Sequence, residues 1–574
     1  MTATQQPITL ATLAEWRRRR EANAESLARR DNEETRNQFR VPTSLTDVAG
    51  ASPNRAALEA LLELAKPQSP HLAEESVNAV GFCSRPLGSF RDHGGLHSGD
   101  HGWHTPVLPS RQDDHGSVAQ PQYRIPDVTF RRLPHLMWLP LVAITAGSVM
   151  LHRGKFTVRA FDSPWLLVMW GISLGFVLLQ LVLAWRQKPF TVTRRQGVQL
   201  DALKVTVVIP CYNEDPAILD RTIYSLFRQT RLPGHVVIVD DGSTCDYTAV
   251  RTRWEQQRSA GTRFTWIRQT NAGKKHAQAA AWACDPDADV FVTIDSDSAL
   301  DQRAIEEGLK PFADPGIVSV AGLEMAYNFG TNLLTRAIAA RSLGFQLFAM
   351  SAQSTANGNV IINPGAFSLY RAWLIRKIVP AYLGETFFGV PVTLGDDTAL
   401  TMFALSHGRA VHQPTAVSMP VYPETLSHHL RQWTRWMRAS TIRTFWRIRY
   451  LPIRSYGWVF VVYQQWAFFA SVAVSVAIPL AWPASRNLAI AGGIALLVWP
   501  WAVAVRLATV RRSDQGLGAK LAGIALMPVA ALWYLLVLRQ IRFYGIATCY
   551  RQGWVTREKV EVTIGGEVLV AEMA

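Results

Sequence analysis

Apolar residues fall into three regimes along this chain. From Leu133 to Leu151 and from Pro164 to Trp185 they run almost unbroken, each for about the ~20 residues that a bilayer core requires. Between residues 201 and 421 they shrink to short β-branched runs, Val205–Ile209, Val236–Val239 and Val290–Ile294, each closed by a polar or acidic cluster. Helical stretches such as Ala217–Gln229 and Lys275–Ala283 separate them. This alternation predicts an α/β domain, a mostly parallel sheet with helices on both faces, inserted between transmembrane helices. Helical periodicity then takes over. Leu426, Leu430, Trp433 and Met437 share one face while Arg431, Arg435 and Arg438 line another, the pattern of an amphipathic helix lying on a membrane surface. Asn332–Met350 reads as a second such helix, and further spans follow near Tyr456–Trp482, Asn487–Ala508 and Lys520–Leu538.

The chain divides accordingly into a polar region 1–130, two spans in 131–190, the α/β domain 201–421, an interfacial helix in 422–455, spans in 456–541 and a tail 542–574. The first region is rich in Gly, Pro, Ser and His, a composition that buries too little apolar surface to offset ordering entropy, so a poorly ordered segment is expected. Its histidines, His93, His97, His101, His104 and His115, fit a solvated tail better than a metal site.

Charge sharpens the picture. Lys and Arg number 59 against 44 Asp and Glu, a net +15. Such an excess suits nucleic acid, an anionic membrane surface or an anionic substrate. Seven Arg and no acid between Thr425 and Ser455, just ahead of an apolar run, favour membrane lipids and phosphate over nucleic acid. Arg131 and Arg132 precede the first span, and Arg186, Lys188, Arg194 and Arg195 follow the second. The bias places both outer flanks, and the domain between the spans, in the cytoplasm of a multi-pass protein of the cell membrane. Five cysteines without paired spacing argue against a zinc or disulfide framework.

The candidate chemistry sits at the ends of the short strands, where ligands of open α/β sheets gather. Asp295-Ser296-Asp297 closes Val290–Ile294. Alternate residues of an extended stretch point the same way, so both carboxylates face one site. Such hard oxygens suit Mg²⁺ or Mn²⁺ bridging to a diphosphate. Asp240-Asp241-Gly242-Ser243 closes a second strand, with carboxylates suited to a nucleobase or ribose, and Tyr212-Asn213-Glu214-Asp215 closes the first. Lys274 and Lys275 open a helix where phosphate binding is natural, although a surface lysine pair reads equally well. Gly395-Asp396-Asp397 offers a general base, with either acid eligible. In Gln432-Trp433-Thr434-Arg435-Trp436, aromatic faces suit sugar rings and Arg suits a diphosphate.

Together these residues resemble the processive family-2 glycosyltransferases, the hyaluronan, chitin and cellulose synthases, from about Val205 to the C-terminus. The resemblance implies a GT-A-type domain in which Asp295 and Asp297 hold the metal and donor diphosphate, and Asp397 is the base. Tyr212 and Asp241 would fall in the uridine pocket, with Gln432, Arg435 and Trp436 forming the Gln-x-x-Arg-Trp signature of polymer-forming members. Tyr212-Asn213-Glu214-Asp215-Pro216 and the Gly-Asp-Asp form look most like hyaluronan synthases, and Trp554-Val555-Thr556-Arg557 is similar to their Trp-Gly-Thr-Arg gating loop. Two departures fall near the acceptor: Asn363-Pro364-Gly365-Ala366-Phe367-Ser368 stands where those enzymes carry Ser-Gly-Pro-Leu, and Thr398 stands where they have Arg.

The resemblance implies an inverting synthase that extends a β-linked, hyaluronan-type or GlcNAc-containing polysaccharide from UDP-sugars onto the growing chain and passes it through the membrane. The alternative is a non-processive enzyme adding one sugar to a lipid. Two spans before the domain and three after it would set Arg557 outside the cell, whereas the basic stretch Arg539–Arg557 and the gating resemblance place it inside. A re-entrant or broken segment near Pro528, or one further span, reconciles the two.

Overall fold

The structure, a computed structural model, describes residues 123–139, 142, 164–257, 261–480, 500–501 and 503–551. An eight-stranded sheet is built from β1 (Val205–Cys211), β2 (His235–Asp240), β3 (Arg263–Arg268), β4 (Val290–Thr293), β5 (Ser298–Leu300), β6 (Ile317–Glu324), β7 (Ser368–Arg371) and β8 (Arg409–Pro420). In space the strands run β3-β2-β1-β4-β7-β6-β8-β5. Pairings β1–β2, β2–β3, β1–β4 and β6–β8 are parallel, whereas β7 runs antiparallel to both β4 and β6, and β5 antiparallel to β8. The sheet is therefore mixed rather than mostly parallel. The strand that changes it, β7, is only four residues long and follows Pro364-Gly365, so it gives little periodic signal.

Alternation along the strands builds a core on each face. Val207, Ile209, Val236, Ile238 and Leu369 face one layer with Leu219 and Ile223 of the helix α1 (Pro216–Leu226). Val208, Val237, Val239 and Tyr370 face the other, with Trp282 of α2 (Lys274–Ala283), Ile375 of α3 (Ala372–Leu383) and Phe403 of α4 (Asp396–His407). Strands covered on both faces read as continuous apolar runs, which is why β1, β2 and β4 were legible. α1 starts where Asp215 caps it, its carboxylate accepting from the Ala217 and Ile218 N–H at 2.8 and 3.3 Å, with Pro216 in the first turn.

Around this domain lie long apolar helices. Pro164–Arg186 and Tyr456–Leu480, where two of the spans are expected, are helical over 23 and 25 residues. Among the described residues, Leu517–Ala547 is a helical stretch of 31 residues long and apolar enough to cross a membrane. It is interrupted at Leu526, just ahead of Pro528, and carries a π turn at Tyr534–Leu538, as expected where proline removes a hydrogen-bond donor. The expected spans Leu133–Leu151 and Asn487–Ala508 fall largely outside the described residues, as does region 1–122. Residues 123–130, expected to be poorly ordered, are in place. Val128–Phe130 pairs antiparallel with Val510–Arg512, and Ile125, Val128 and Phe130 pack on a core that includes Leu323, Met325 and Met419.

The amphipathic helix α5 (Leu426–Tyr450) forms over 25 residues with Thr425 as its cap. Part of its apolar stripe packs on protein: Trp433 is buried and Met437 half-buried, while Leu426 is exposed. The Trp433 indole N–H donates to the Leu538 carbonyl at 3.1 Å, its ring meets Tyr534 edge-on, and Met437 lies against Gly545. On the other side a buried ion group ties α5 to the domain. Arg443 donates both guanidinium nitrogens to Glu385 at 2.6 and 2.8 Å, Lys275 Nζ meets the same carboxylate at 2.6 Å, and Arg443 also reaches the Gly395 carbonyl at 3.3 Å. Removing the shared acid leaves two buried cations unpaired, which costs roughly 3–5 kcal/mol. Glu385→Gln should therefore lower the unfolding temperature of the purified protein sharply, whereas replacing Lys275, Glu385 and Arg443 together by apolar residues of similar volume should restore most of it.

Candidate active site

The parallel strands β1, β2, β4, β6 and β8 send their carboxyl ends to one edge of the sheet, and the antiparallel β7 begins there. The acidic clusters meet at that edge. Behind β1, Asn213 takes a left-handed conformation (φ 47°) and accepts the Thr244 N–H at 2.8 Å, while its own N–H donates to Ser243 Oγ at 2.9 Å. Glu214 is buried, accepts Ser296 Oγ–H at 2.9 Å, and so binds the first strand end to the middle of Asp295-Ser296-Asp297. Tyr212, beside it, is half-buried.

At the end of β2, Asp240 accepts the Ser243 N–H at 2.9 Å. Asp241 accepts from Gln269 Nε2 and the Ala272 N–H on one oxygen, at 2.7 and 2.9 Å, and from the Gly273 N–H at 2.8 Å on the other. Burial pushes the Asp241 carboxyl up, and these three donors work against that. Of the two carboxylates expected to meet a base or ribose, Asp241 thus shapes the loop that carries Lys274, and Asp240 holds the turn at its own strand end.

Lys274 is not a surface lysine. Its Nζ lies 2.7 Å from Asp295 Oδ1 and 2.9 Å from Asp396 Oδ2, so it bridges the two acidic clusters. Burial works against its charge, but the two carboxylates outweigh this and hold the ammonium above its usual range. Lys275 points away, into the ion group under α5. Gly365, in the segment leading to β7, fits because it has no side chain: a Cβ there would stand 2.9 Å from Asp295 Oδ2 and 3.3 Å from Lys274 Nζ.

Asp396 and Asp397 open α4 after Gly395, which sits at φ 72° and lies against Ala439 of α5. The two acids are unlike. Burial alone would raise the Asp396 carboxyl, but Lys274 holds it below the usual range, and Gln278 Nε2 also donates to it at 3.2 Å. Asp397 accepts the Thr398 N–H at 2.6 Å, and burial, reinforced by the neighbouring Asp396 charge, pushes it up to about 6. A fifth acid, Glu324 at the end of β6, is not among the residues expected from the sequence, although it closes an apolar run as the others do. Burial and the charges of Asp295, Asp397 and Asp297 push it up to about 8.

Asp295 and Asp297 offer a cation two hard carboxylate oxygens. Among the described residues no group of three His, Cys, Asp or Glu stands at ligand spacing. A pair of carboxylates suits Mg²⁺ or Mn²⁺, which take one or two carboxylates and complete their shell with phosphate oxygens and water. The negative field felt by Glu324 is also what a divalent ion would neutralise.

The Gln432–Trp436 segment lies one turn before the contact between α5 and Gly395. Arg435, Ala439 and Arg443 share a face at spacing i, i+4, i+8, and Ala439 and Arg443 meet Gly395. Gln432 and Arg435 are half-buried, and Trp436 is 45% exposed and packs edge-on against Trp433. Trp554 and Arg557 lie outside the described residues.

Residues 206–379 match the profile of glycosyl transferase family 2. The hyaluronan synthase of Streptococcus pyogenes is 31% identical over 395 residues, covering 68% of this chain and 90% of that protein. An N-acetylglucosaminyltransferase of Rhizobium meliloti is 31% identical over 246 residues, 42% of this chain and 56% of its own. Among solved structures, a mannosyltransferase from Pyrobaculum calidifontis in complex with GDP-Man and Mn²⁺ matches 74% of this chain and 99% of its own at 18% identity, with a TM-score of 0.37.

Gly365→Val should force Asp295 and Lys274 apart without disturbing the two cores. A structure of that variant is expected to show Nζ and Oδ1 separated beyond hydrogen-bond reach, roughly 3.5 Å, with the unfolding temperature lowered because Lys274 loses one of its two carboxylates.

Proposed function

Since the chain belongs to the family-2 glycosyltransferases of the hyaluronan-synthase type, we propose that it is a membrane-embedded, processive, inverting synthase that builds a β-linked polysaccharide from UDP-sugars and passes it across the membrane. The observation that carries the catalytic reading is the asymmetry between Asp396 and Asp397. Asp396 is bound by Lys274 and Gln278 and stays ionised, so it cannot readily take a proton. Asp397, at about 6, is mostly ionised at neutral pH yet basic enough to accept one.

In this reading Asp397 takes the proton of the acceptor hydroxyl as that oxygen attacks the anomeric carbon and the nucleoside diphosphate leaves from the opposite face. Asp295 and Asp297 would hold Mg²⁺ or Mn²⁺, which when bound supplies positive charge for the departing diphosphate. Lys274 keeps Asp295 and the Asp396-Asp397 turn at fixed separation, which positions base and donor for in-line displacement. Arg435 shares the face of α5 that reaches Gly395, which supports a role for it in clamping a diphosphate. Trp436 offers an exposed ring for a sugar face. The long apolar helices that flank a cytoplasmic domain support export of the product through the cell membrane.

Two outcomes are expected. Asp397→Asn should reduce sugar transfer by at least about 100-fold, the usual contribution of a general base, while UDP affinity measured by calorimetry stays within a few-fold; full transfer by this variant would sink the assignment. The transfer rate should also rise with pH and level off above about 6, because the base is lost as Asp397 takes up a proton on the acid side. Asp396→Asn removes the neighbouring negative charge, so its acid limb should move to lower pH.

A further inference from the structure

Arg221 of α1 is a buried cation, 1% exposed, and the donor site as read above has no stated use for it. Its Nη2 donates to the main-chain carbonyl of Asp297 at 3.0 Å. The acids that face it are Asp297 and Glu214, and its guanidinium lies 3.9 Å from the centre of the Tyr327 ring. Arg221 therefore grips the backbone of the very turn whose two carboxylates must point the same way.

The groups on either side of Arg221 are held by one short stretch of chain ahead of the first span. Tyr123 OH donates to Asp220 Oδ2 at 2.7 Å, and Asp220 also accepts from Trp254 Nε1 at 2.7 Å and pairs with Arg253. Tyr327, whose ring covers Arg221, donates its hydroxyl to the Arg124 carbonyl at 3.4 Å. Four residues after Arg124, the Val128 N–H donates to Asp301 at 3.3 Å, just beyond β5. Val128–Phe130 then pairs with Val510–Arg512, immediately before the Leu517–Ala547 helix. This stretch is a strap that closes over Arg221 from both flanks and joins the donor turn to the foot of an apolar helix.

We infer that Arg221 is a positioning residue for the Asp295-Ser296-Asp297 turn, and that the strap of residues 123–130 sets its position, so that docking of the strap controls affinity for the nucleotide. This rests on the donor-site reading given above. A side chain that fixes a backbone carbonyl orients both flanking carboxylates at once, and a strap hydrogen-bonded to the residue before Arg221 and to the ring above it restricts its rotamers.

The test is calorimetric titration of the purified full chain with UDP in the presence of Mn²⁺. Tyr123→Phe and Arg221→Ala should each weaken UDP binding about three- to tenfold, with donor KM rising in step and kcat at saturating donor within about twofold. Arg221→Lys should recover part of the loss. If Tyr123 acts through Arg221, the double variant should bind no more weakly than Arg221→Ala alone. Tyr123→Phe and Arg221→Lys keep the question decidable if Arg221→Ala fails to fold. Wild-type affinity in both of them, or full additivity in the double variant, overturns the inference. Failure of the wild-type chain itself to bind UDP overturns the donor-site reading and this inference with it.

Discussion

The site depends on one lysine standing between two clusters of like charge. Asp295, Asp297, Glu324, Asp396 and Asp397 gather at one edge of the sheet, and such crowding is self-repelling in a low-dielectric interior. Lys274 Nζ, 2.7 Å from Asp295 and 2.9 Å from Asp396, makes the arrangement tolerable and fixes its spacing. The remaining imbalance surfaces as Glu324 pushed up to about 8 and Asp397 to about 6. Those shifts set Glu324 and Asp397 apart from Asp396, whose carboxyl Lys274 holds below the usual range.

The scaffold serves this spacing. Asp241 spends its carboxylate on the loop that delivers Lys274, and Glu214 ties the first strand end to Ser296. Lys275, next in sequence, turns the other way and joins Glu385 and Arg443, so a single helix start anchors both the acidic edge and α5. Arg443 and Ala439 of α5 then meet Gly395, which couples the Gln432–Trp436 segment to the turn carrying Asp397. Behind the donor turn, Arg221 and the strap play the corresponding part. Stability and chemistry are therefore hard to separate at these positions, because the contacts that hold the elements also set the geometry of the acids.

Much of this was legible before any coordinates. Short β-branched runs ending in acids marked β1, β2 and β4, because strands covered on both faces must be apolar throughout and ligand-facing groups must follow them. The Asp-x-Asp and Gly-Asp-Asp clusters, their order and the long apolar segments were sufficient for the enzyme class. Glu324 carries the same signal at the end of β6, but Ser319 and Gly322 interrupt the β-branched run ahead of it. β7, four residues long, gave no periodicity to read.

What the sequence determined by itself is the chemistry available: which acids, cations and aromatics end the strands, and which segments are too apolar for water. These follow from local composition and period. Which acid is left able to accept a proton, which lysine bridges and which is buried, and what covers part of the apolar stripe of α5 were decided by the tertiary structure alone. Lys274 and Lys275 are adjacent and identical in kind, yet helical geometry sends one to Asp295 and Asp396 and the other to Glu385. Asp396 and Glu385 lie 122 and 110 residues away from their lysines in sequence, and only folding brings those groups within reach.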